Sequence, residues 1–333
     1  MSSIMRAVTV KPPGGLADLA IGTIPRPSPR ADQLLVKVAF AGLNRADTLQ
    51  RSGAYPPPAD APATMGLEVS GEVVEIGAEA QGKGFKVGDN VCGLVGGGGY
   101  AEYCAINIGN VLQIPRGFSL EQAAAIPEVF MTAYQALIHI SQLKKGEDAL
   151  IHAGASGVGT AAIQLAKSWG ARRIIVTAGT DAKCAFTKSL GATHAINYKT
   201  TDWKSEVLAI TEKRGVDVII DFVAGSYFNS NLEALAVDGR MTILALLGGP
   251  VVEKATIGHF LRKRLRVEGS TLRSRSKEYQ AQLAELIRRD CIPKFESGEL
   301  RPVIDTVYAF EDIAKGHQHL EEDKSLGKVL LRL

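Results

Sequence analysis

The stretch 150-LIHAGASGVGTAAIQLAKSWGA-171 decides how the chain folds. An apolar run reaches a glycine-rich turn. Beyond the turn, Val158, Ala161, Ala162, Leu165 and Trp169 recur at the spacing of one buried helix face. Strand, turn and helix therefore follow in the order of a dinucleotide-binding unit. The turn reads G-A-S-G-V-G, so Gly154 and Gly159 take the first and last positions of G-x-G-x-x-G, and Ser156 takes the middle one. A serine is small enough to let backbone approach a pyrophosphate, and its hydroxyl can donate a hydrogen bond. Gly157 and Val158 open the helix, where free N–H groups and a partial positive charge favour phosphate.

The same alternation continues outward. Strand 148–153, helix 157–169, strand 173–177, helix 181–190, helix 203–213, strand 216–221 and strand 240–246 predict βαβ units and a parallel sheet. A tail of helix 276–290, strand 303–308, helix 310–321 and strand 328–333 follows. Before residue 125 the pattern is different. Short β-rich runs, 34-LLVKVA-39, 72-EVVEI-76 and 100-YAEYCAI-106, are broken by 55-YPPP-58 and 96-GGGG-99, which predicts an irregular β domain.

The end of the second parallel strand selects the coenzyme. NAD-binding units place a carboxylate there for the ribose hydroxyls. Here the strand ends in Thr177, Ala178 and Gly179, and Lys183 stands in the first turn of the next helix. That pattern suits a 2′-phosphate, hence NADPH; the alternative is a lysine that only faces solvent. Asp181 is expected to cap the helix.

Composition bounds the rest. The 333 residues are 46% hydrophobic, enough for two domains with large cores, and a net charge of +3 does not call for a polyanionic partner. The amino terminus, 1-MSSIMRAVTVKPPGG-15, has no apolar stretch of leader length, and no run suggests a membrane span, so a soluble, cytoplasmic protein is expected. Cys92, Cys104, Cys184 and Cys291 form no C-x-x-C pair and are expected to pack. His317 and His319 lie two apart, which puts them on different faces of a helix rather than at one metal.

From end to end the chain resembles the zinc-free quinone oxidoreductases of the medium-chain dehydrogenase/reductase superfamily, most closely the p53-inducible quinone oxidoreductase group. The residues that carry the resemblance are 43-LNRADTLQRSGAYPPP-58, 66-GLEVSGEVVEIG-77, 98-GGYAEYC-104, 123-AAAIPEVFMTAYQAL-137, 152-HAGASGVGTAAIQLAK-167 and 325-SLGKVLL-331. The resemblance implies a Rossmann doubly wound parallel sheet domain, residues 125–268, inserted into a GroES-like β-rich catalytic domain of residues 1–124 and 269–333, with the active site in the cleft between them. It also implies a homodimer joined through the outermost strand near 266–270.

Metal-dependent alcohol dehydrogenases of this superfamily carry a histidine ligand inside the segment matched by 66-GLE-68. This chain has Leu67 there, Asn44 at the cysteine ligand's position and Glu128 at the third, and it lacks the cysteine-rich lobe. One amide and one carboxylate do not replace that ligand set. Leu67 is expected to pack and Glu68 to serve as a hydrogen-bond or ion-pair partner. Without a Lewis acid the acceptor must be electrophilic in itself, as ortho- and para-quinones and conjugated enones are.

Tyr55, Ser156 and Asn44 are the candidate catalytic residues. Tyr55, beside 56-PPP-58, is expected to donate a hydrogen bond to the acceptor oxygen, or else to be a surface-loop tyrosine. Asn44 orients nicotinamide or substrate, or fastens a buried loop. By resemblance, Tyr198 lies near the adenosine 2′-phosphate or is a packed edge aromatic, Leu246, Leu247, Gly248 and Gly249 form a loop beside the nicotinamide, and Thr132 and Ser325 approach it. Two other functions stay open: an NADPH-dependent enone or alkenal reductase, and an RNA binder using the basic run 262-RKRLRVEGSTLRSRSK-277, which has no interleaved aromatic platform.

Overall fold

The computed structural model describes residues 4–10 and 14–333. Residues 1–3 and 11–13, part of the amino-terminal stretch read above for a leader, lie outside the described residues. Two compact units divide the chain: Met1–Met131 with Leu272–Leu333, and Thr132–Thr271.

The second unit holds a six-stranded sheet whose strands run, in space, His194–Asn197, Arg173–Ala178, Asp148–Ile151, Val216–Asp221, Leu235–Ile243 and Arg266–Gly269. All neighbours are parallel. Counted along the unit this is order 3-2-1-4-5-6, the doubly wound arrangement, and its switch point falls between Asp148–Ile151 and Val216–Asp221. The inner strands Asp148–Ile151, Arg173–Ala178 and Val216–Asp221 are largely apolar on both faces, as in a sheet covered on both sides; Leu150, Ile175, Val216 and Ile219 are fully buried.

The first unit is built on a seven-stranded sheet. Its central strand, Gln33–Leu43, pairs antiparallel with Lys328–Arg332, Glu68–Ile76 and Tyr103–Asn107. One strand serves three partners because residues 33–37 pair with Tyr103–Asn107 and residues 40–43 with Lys328–Arg332, while residues 34–41 pair with Glu68–Ile76, with register shifts after Leu35 and Val38. Gly71 lies where a Cβ would stand 2.0 Å from the Lys37 carbonyl oxygen, so only glycine permits that crossing. Val36, Val69, Val91, Ile106, Val329 and Leu331 fill the core.

Several boundaries differ from the sequence expectation, each for a local reason. The strand expected over 72–76 begins at Glu68, which is thus part of the sheet. The strand expected over 240–246 is Leu235–Ile243, leaving Leu246 and Leu247 in a turn. The helix expected over 203–213 stops at Ile210, where Glu212 and Lys213 turn left-handed, and the one expected over 310–321 starts as a 3-10 turn, Phe310–Asp312. Helix Asp181–Leu190 is capped by Thr180, whose hydroxyl accepts from the Lys183 N–H at 3.2 Å, not by Asp181. Asp181 is the first helical residue and accepts from the Asn197 amide at 2.8 Å. The hairpin Ile4–Val10 with Leu19–Pro25 and the short helix Arg45–Arg51 were not read from sequence.

Candidate active site

In the first unit, strand Gln33–Leu43 ends at Asn44, which heads helix Arg45–Arg51. Strand Lys328–Arg332 lies alongside with Val329 opposite Leu43, and this register delivers Lys328 to Asn44. The Lys328 ammonium, 2% exposed, donates to the Leu43 carbonyl at 3.0 Å, to Asn44 Oδ1 at 2.6 Å and to Glu68 Oε1. All three ammonium protons thus have acceptors. Fully buried Glu68 also accepts from Asn44 Nδ2 at 2.9 Å and, at its second oxygen, from the Glu128 N–H at 2.8 Å. Gly42 makes room: a Cβ there would stand 2.3 Å from Glu68 Oε1.

Asp47 closes the cluster. Buried completely, it accepts from the Asn44 N–H at 2.8 Å, the Gly66 N–H at 3.2 Å and the Tyr100 hydroxyl at 2.8 Å. Burial raises its pKa to about 6 against the pull of these bonds. Glu128 is pushed further, to about 8, by burial first and then by the Glu68 charge, with Lys328 and Arg273 opposing. At neutral pH Glu128 is therefore a protonated acid. Arg273, 8% exposed, donates from Nε to the Gly96 carbonyl at 2.8 Å, and its guanidinium carbon lies 5.6 Å from the centroid of the half-buried Tyr55 ring.

These residues do not fit a divalent metal. Leu67 is 2% exposed and packs in the core as expected, Asn44 is bonded to Lys328, Glu128 holds a proton, and a cation, the Lys328 ammonium, is already in place. Among the described residues no three of His, Cys, Asp and Glu cluster as a metal would require. The four cysteines are buried and form no disulfide.

In the second unit, Gly154 and Gly159 are both dictated by space. A Cβ on Gly154 would stand 2.8 Å from the Val176 side chain, and one on Gly159 would stand 2.4 Å from the Ala153 carbonyl oxygen. Ser156 is the N-cap of helix Gly157–Ser168 and its Oγ accepts from the Gly159 N–H at 3.0 Å, so its own proton remains available to donate. A buried polar chain lies beneath the turn. Asp221 accepts from the Val223 and Ala224 N–H groups and from Asn231 Nδ2, which turns Asn231 Oδ1 toward His152 Nε2 at 2.8 Å. His152 Nε2 therefore carries the proton and Nδ1 accepts from the Thr177 hydroxyl at 2.9 Å. Burial depresses this histidine's pKa and keeps it neutral. Three strand ends are tied together at the switch point by a network that sequence reading missed.

The remaining candidates fall as follows. A Cβ on Gly179 would meet the Tyr198 hydroxyl at 2.9 Å, so Tyr198, 42% exposed, lies against the end of the second strand, with Lys183 half-buried in the following helix. The loop carrying Leu246, Leu247, Gly248 and Gly249 is pinned to the end of Val216–Asp221 by Leu247 N–H to Phe222 O and Gly248 N–H to Val223 O. Thr132, on helix Pro127–Tyr134, has a buried hydroxyl without a partner among the described residues. Ser325 is half-buried in the turn before Lys328.

Sequence reading also missed Lys328 and Arg273, although both lie in stretches it quoted. Arg273 was hidden in the basic run, whose members prove to have separate structural tasks. Lys263 donates to the Leu232, Glu233 and Leu235 carbonyls, Arg264 pairs with Asp238, and Arg275 stacks on Tyr279.

Comparison with known proteins agrees with this architecture. The alcohol dehydrogenase GroES-like domain family matches residues 30–116, and the zinc-binding dehydrogenase family matches residues 157–289. The human quinone oxidoreductase is 32% identical over 333 residues, covering 99% of this chain and 98% of that protein. Among solved structures, the quinone oxidoreductase of Pseudomonas syringae pv. Tomato DC3000 is 30% identical with a TM-score of 0.87, covering 99% of this chain and 100% of that one. The JamJ enoyl reductase is 26% identical with a TM-score of 0.87, over 99% of each chain.

A doubly wound cofactor unit with a GroES-like unit defines a medium-chain dehydrogenase/reductase. Within that superfamily the chain belongs to the quinone oxidoreductases. It is an oxidoreductase enzyme whose fold implies a nicotinamide cofactor. Among the described residues no helix is long and apolar enough to cross a membrane.

Proposed function

We propose that the chain is a zinc-independent NADPH:quinone reductase. The observation that carries this reading is the Lys328 ammonium held by Glu68, Asn44 and the Leu43 carbonyl. With those donors engaged, the acceptor must be electrophilic without metal assistance, as quinones are. NADPH supplies the hydride. Gly154, Ser156, Gly157, Val158 and Gly159 would hold its pyrophosphate, Gly179, Tyr198 and Lys183 its adenosine 2′-phosphate end, and Leu246, Leu247, Gly248, Thr132 and Ser325 would approach the nicotinamide side. Tyr55 donates to the acceptor oxygen, and Asn44 positions the loop that carries it. Positioning supplies much of the rate.

A second reading, reduction of conjugated enones, is favoured by Glu128. An enone product must gain a proton on carbon, and a carboxyl titrating at about 8 is protonated at neutral pH. The likeness to an enoyl reductase structure points the same way.

The protein is further proposed to be a homodimer joined through strand Arg266–Gly269, which among the described residues pairs on one side only; Val251, Ile257 and Leu261, in the segment before it, are exposed. Light scattering at micromolar concentration should give twice the chain mass. The catalytic test is coenzyme oxidation with ortho- and para-quinones and enones, using NADPH or NADH, with and without chelator. NADPH-dependent quinone reduction that survives chelation is expected. One tightly bound zinc per chain whose removal abolishes activity would refute the reading.

A further inference from the structure

Arg273 has a feature that the reduction of a neutral quinone does not require. Its Nε is satisfied by the Gly96 carbonyl, but Nη1 and Nη2 are buried and have no hydrogen-bond partner among the described residues. A guanidinium carries four N–H groups on those two nitrogens, and leaving them desolvated is costly unless an acceptor arrives. Burial correspondingly lowers the Arg273 pKa.

The acidic groups around it do not fill that role. Asp47, Glu128 and Tyr55 all lie within electrostatic range. Asp47 is bonded to Asn44, Gly66 and Tyr100, and Glu68 is bonded to Lys328, Asn44 and the Glu128 N–H. Glu128, with its pKa at about 8, carries no charge at neutral pH. Tyr55 presents its ring, and burial raises its hydroxyl pKa, so it too stays neutral. A buried cation with a fixed fork of donors thus lies over an aromatic ring; Asp47 acts on it only at range, and among the described residues no carboxylate is hydrogen-bonded to Nη1 or Nη2.

We propose that Arg273 is the anion-receiving residue of the acceptor site, and that the enzyme takes acceptors bearing a carboxylate, which docks on Nη1 and Nη2. The two nitrogens match the two oxygens of a carboxylate in bidentate geometry. Because both are closed from solvent, the carboxylate reaches them as the half-buried Tyr55 side chain moves off the guanidinium face. The proposal deepens the quinone reductase reading and rests on it for the identity of the reacting group. It makes Arg273 a specificity-determining residue rather than one that touches the transferred hydride.

The test compares benzoate with benzamide, which differ in charge and little in shape, by calorimetric titration of the wild-type protein. Benzoate is expected to bind at least about tenfold more tightly and to compete with the acceptor. Arg273→Met should weaken benzoate by about 10- to 100-fold, and Arg273→Lys should recover part of the loss, since one charge without the fork remains. In steady state, the kcat/KM ratio of a carboxylated quinone to its methyl ester should fall in Arg273→Met by a similar factor. Equal binding of benzoate and benzamide by the wild-type protein overturns the proposal and needs no variant to fold. If neutral quinones are reduced but benzoate shows no preference, this inference fails and the quinone reductase reading stands. If benzoate binds through Arg273 but no quinone is reduced, the anion site stands and the quinone reading falls.

Discussion

Replacing Lys328 by methionine keeps an unbranched side chain one heavy atom shorter and removes the charge, which isolates what the ammonium does. The variant leaves Glu68 fully buried without its counter-charge, with Oε1 held by the Asn44 amide alone, and takes one donor away from Asn44 Oδ1 and from the Leu43 carbonyl. Breaking a buried ion pair from one side costs about 3 to 5 kcal/mol. The carboxyl has an escape, because it can bind a proton. Taking up that proton becomes easier as the pH falls, so the loss is smaller in acid. Lys328→Met should therefore destabilise the protein by about 4 kcal/mol at pH 7 and markedly less at pH 5. Adding Glu68→Gln should recover most of the pH 7 loss, since a neutral amide needs no counter-ion. Urea unfolding followed by circular dichroism at both pH values, over the full cycle of single and double variants, measures each quantity. A loss under about 1 kcal/mol at pH 7, or an equal loss at the two pH values, would refute the claim that Lys328 is the counter-charge of Glu68.

The neutral acid makes a second pH prediction. Glu128 titrates at about 8 folded against an ordinary 4.5, so the unfolded chain releases its proton first as pH rises. Its contribution to stability is full below about pH 4.5 and is lost as pH climbs to about 8. Glu128→Gln should match the wild type in Tm near pH 5 and exceed it near pH 8; a constant difference would mean that the carboxyl is ionised throughout. Lys183→Ala should reduce the preference for NADPH over NADH by roughly 10- to 100-fold, the value of one charge-assisted bond, in competition kinetics with both coenzymes. Tyr55→Phe should lower quinone kcat/KM by up to about tenfold, one neutral hydrogen bond, whereas complete inactivation with intact coenzyme binding would identify an obligatory proton donor.

What the sequence determined on its own is whatever depends on neighbours along the chain. Helix Asp181–Leu190 and strand Val216–Asp221 match their expected bounds, and the glycine turn 154–159 adopts the geometry that its spacing demands, because periodicity and steric demand act within a few residues. Leu67 as a packing residue and Glu68 as an ion-pair partner were also legible, since replacing a ligand histidine by leucine leaves no donor. The partner of Glu68 was not legible. Lys328 reaches it only because Val329 pairs with Leu43, and strand register is set by the whole sheet rather than by either segment. Arg273 looked like one member of a basic run, and only tertiary packing removes it from water while its neighbours Arg275 and Lys277 stay nearer the surface. The protonation of Glu128, the tautomer of His152 and the unpartnered Nη1 and Nη2 of Arg273 all follow from burial and from which donor faces which acceptor. Those are properties of chain segments far apart in sequence, and they come into being only when the sheet closes around them.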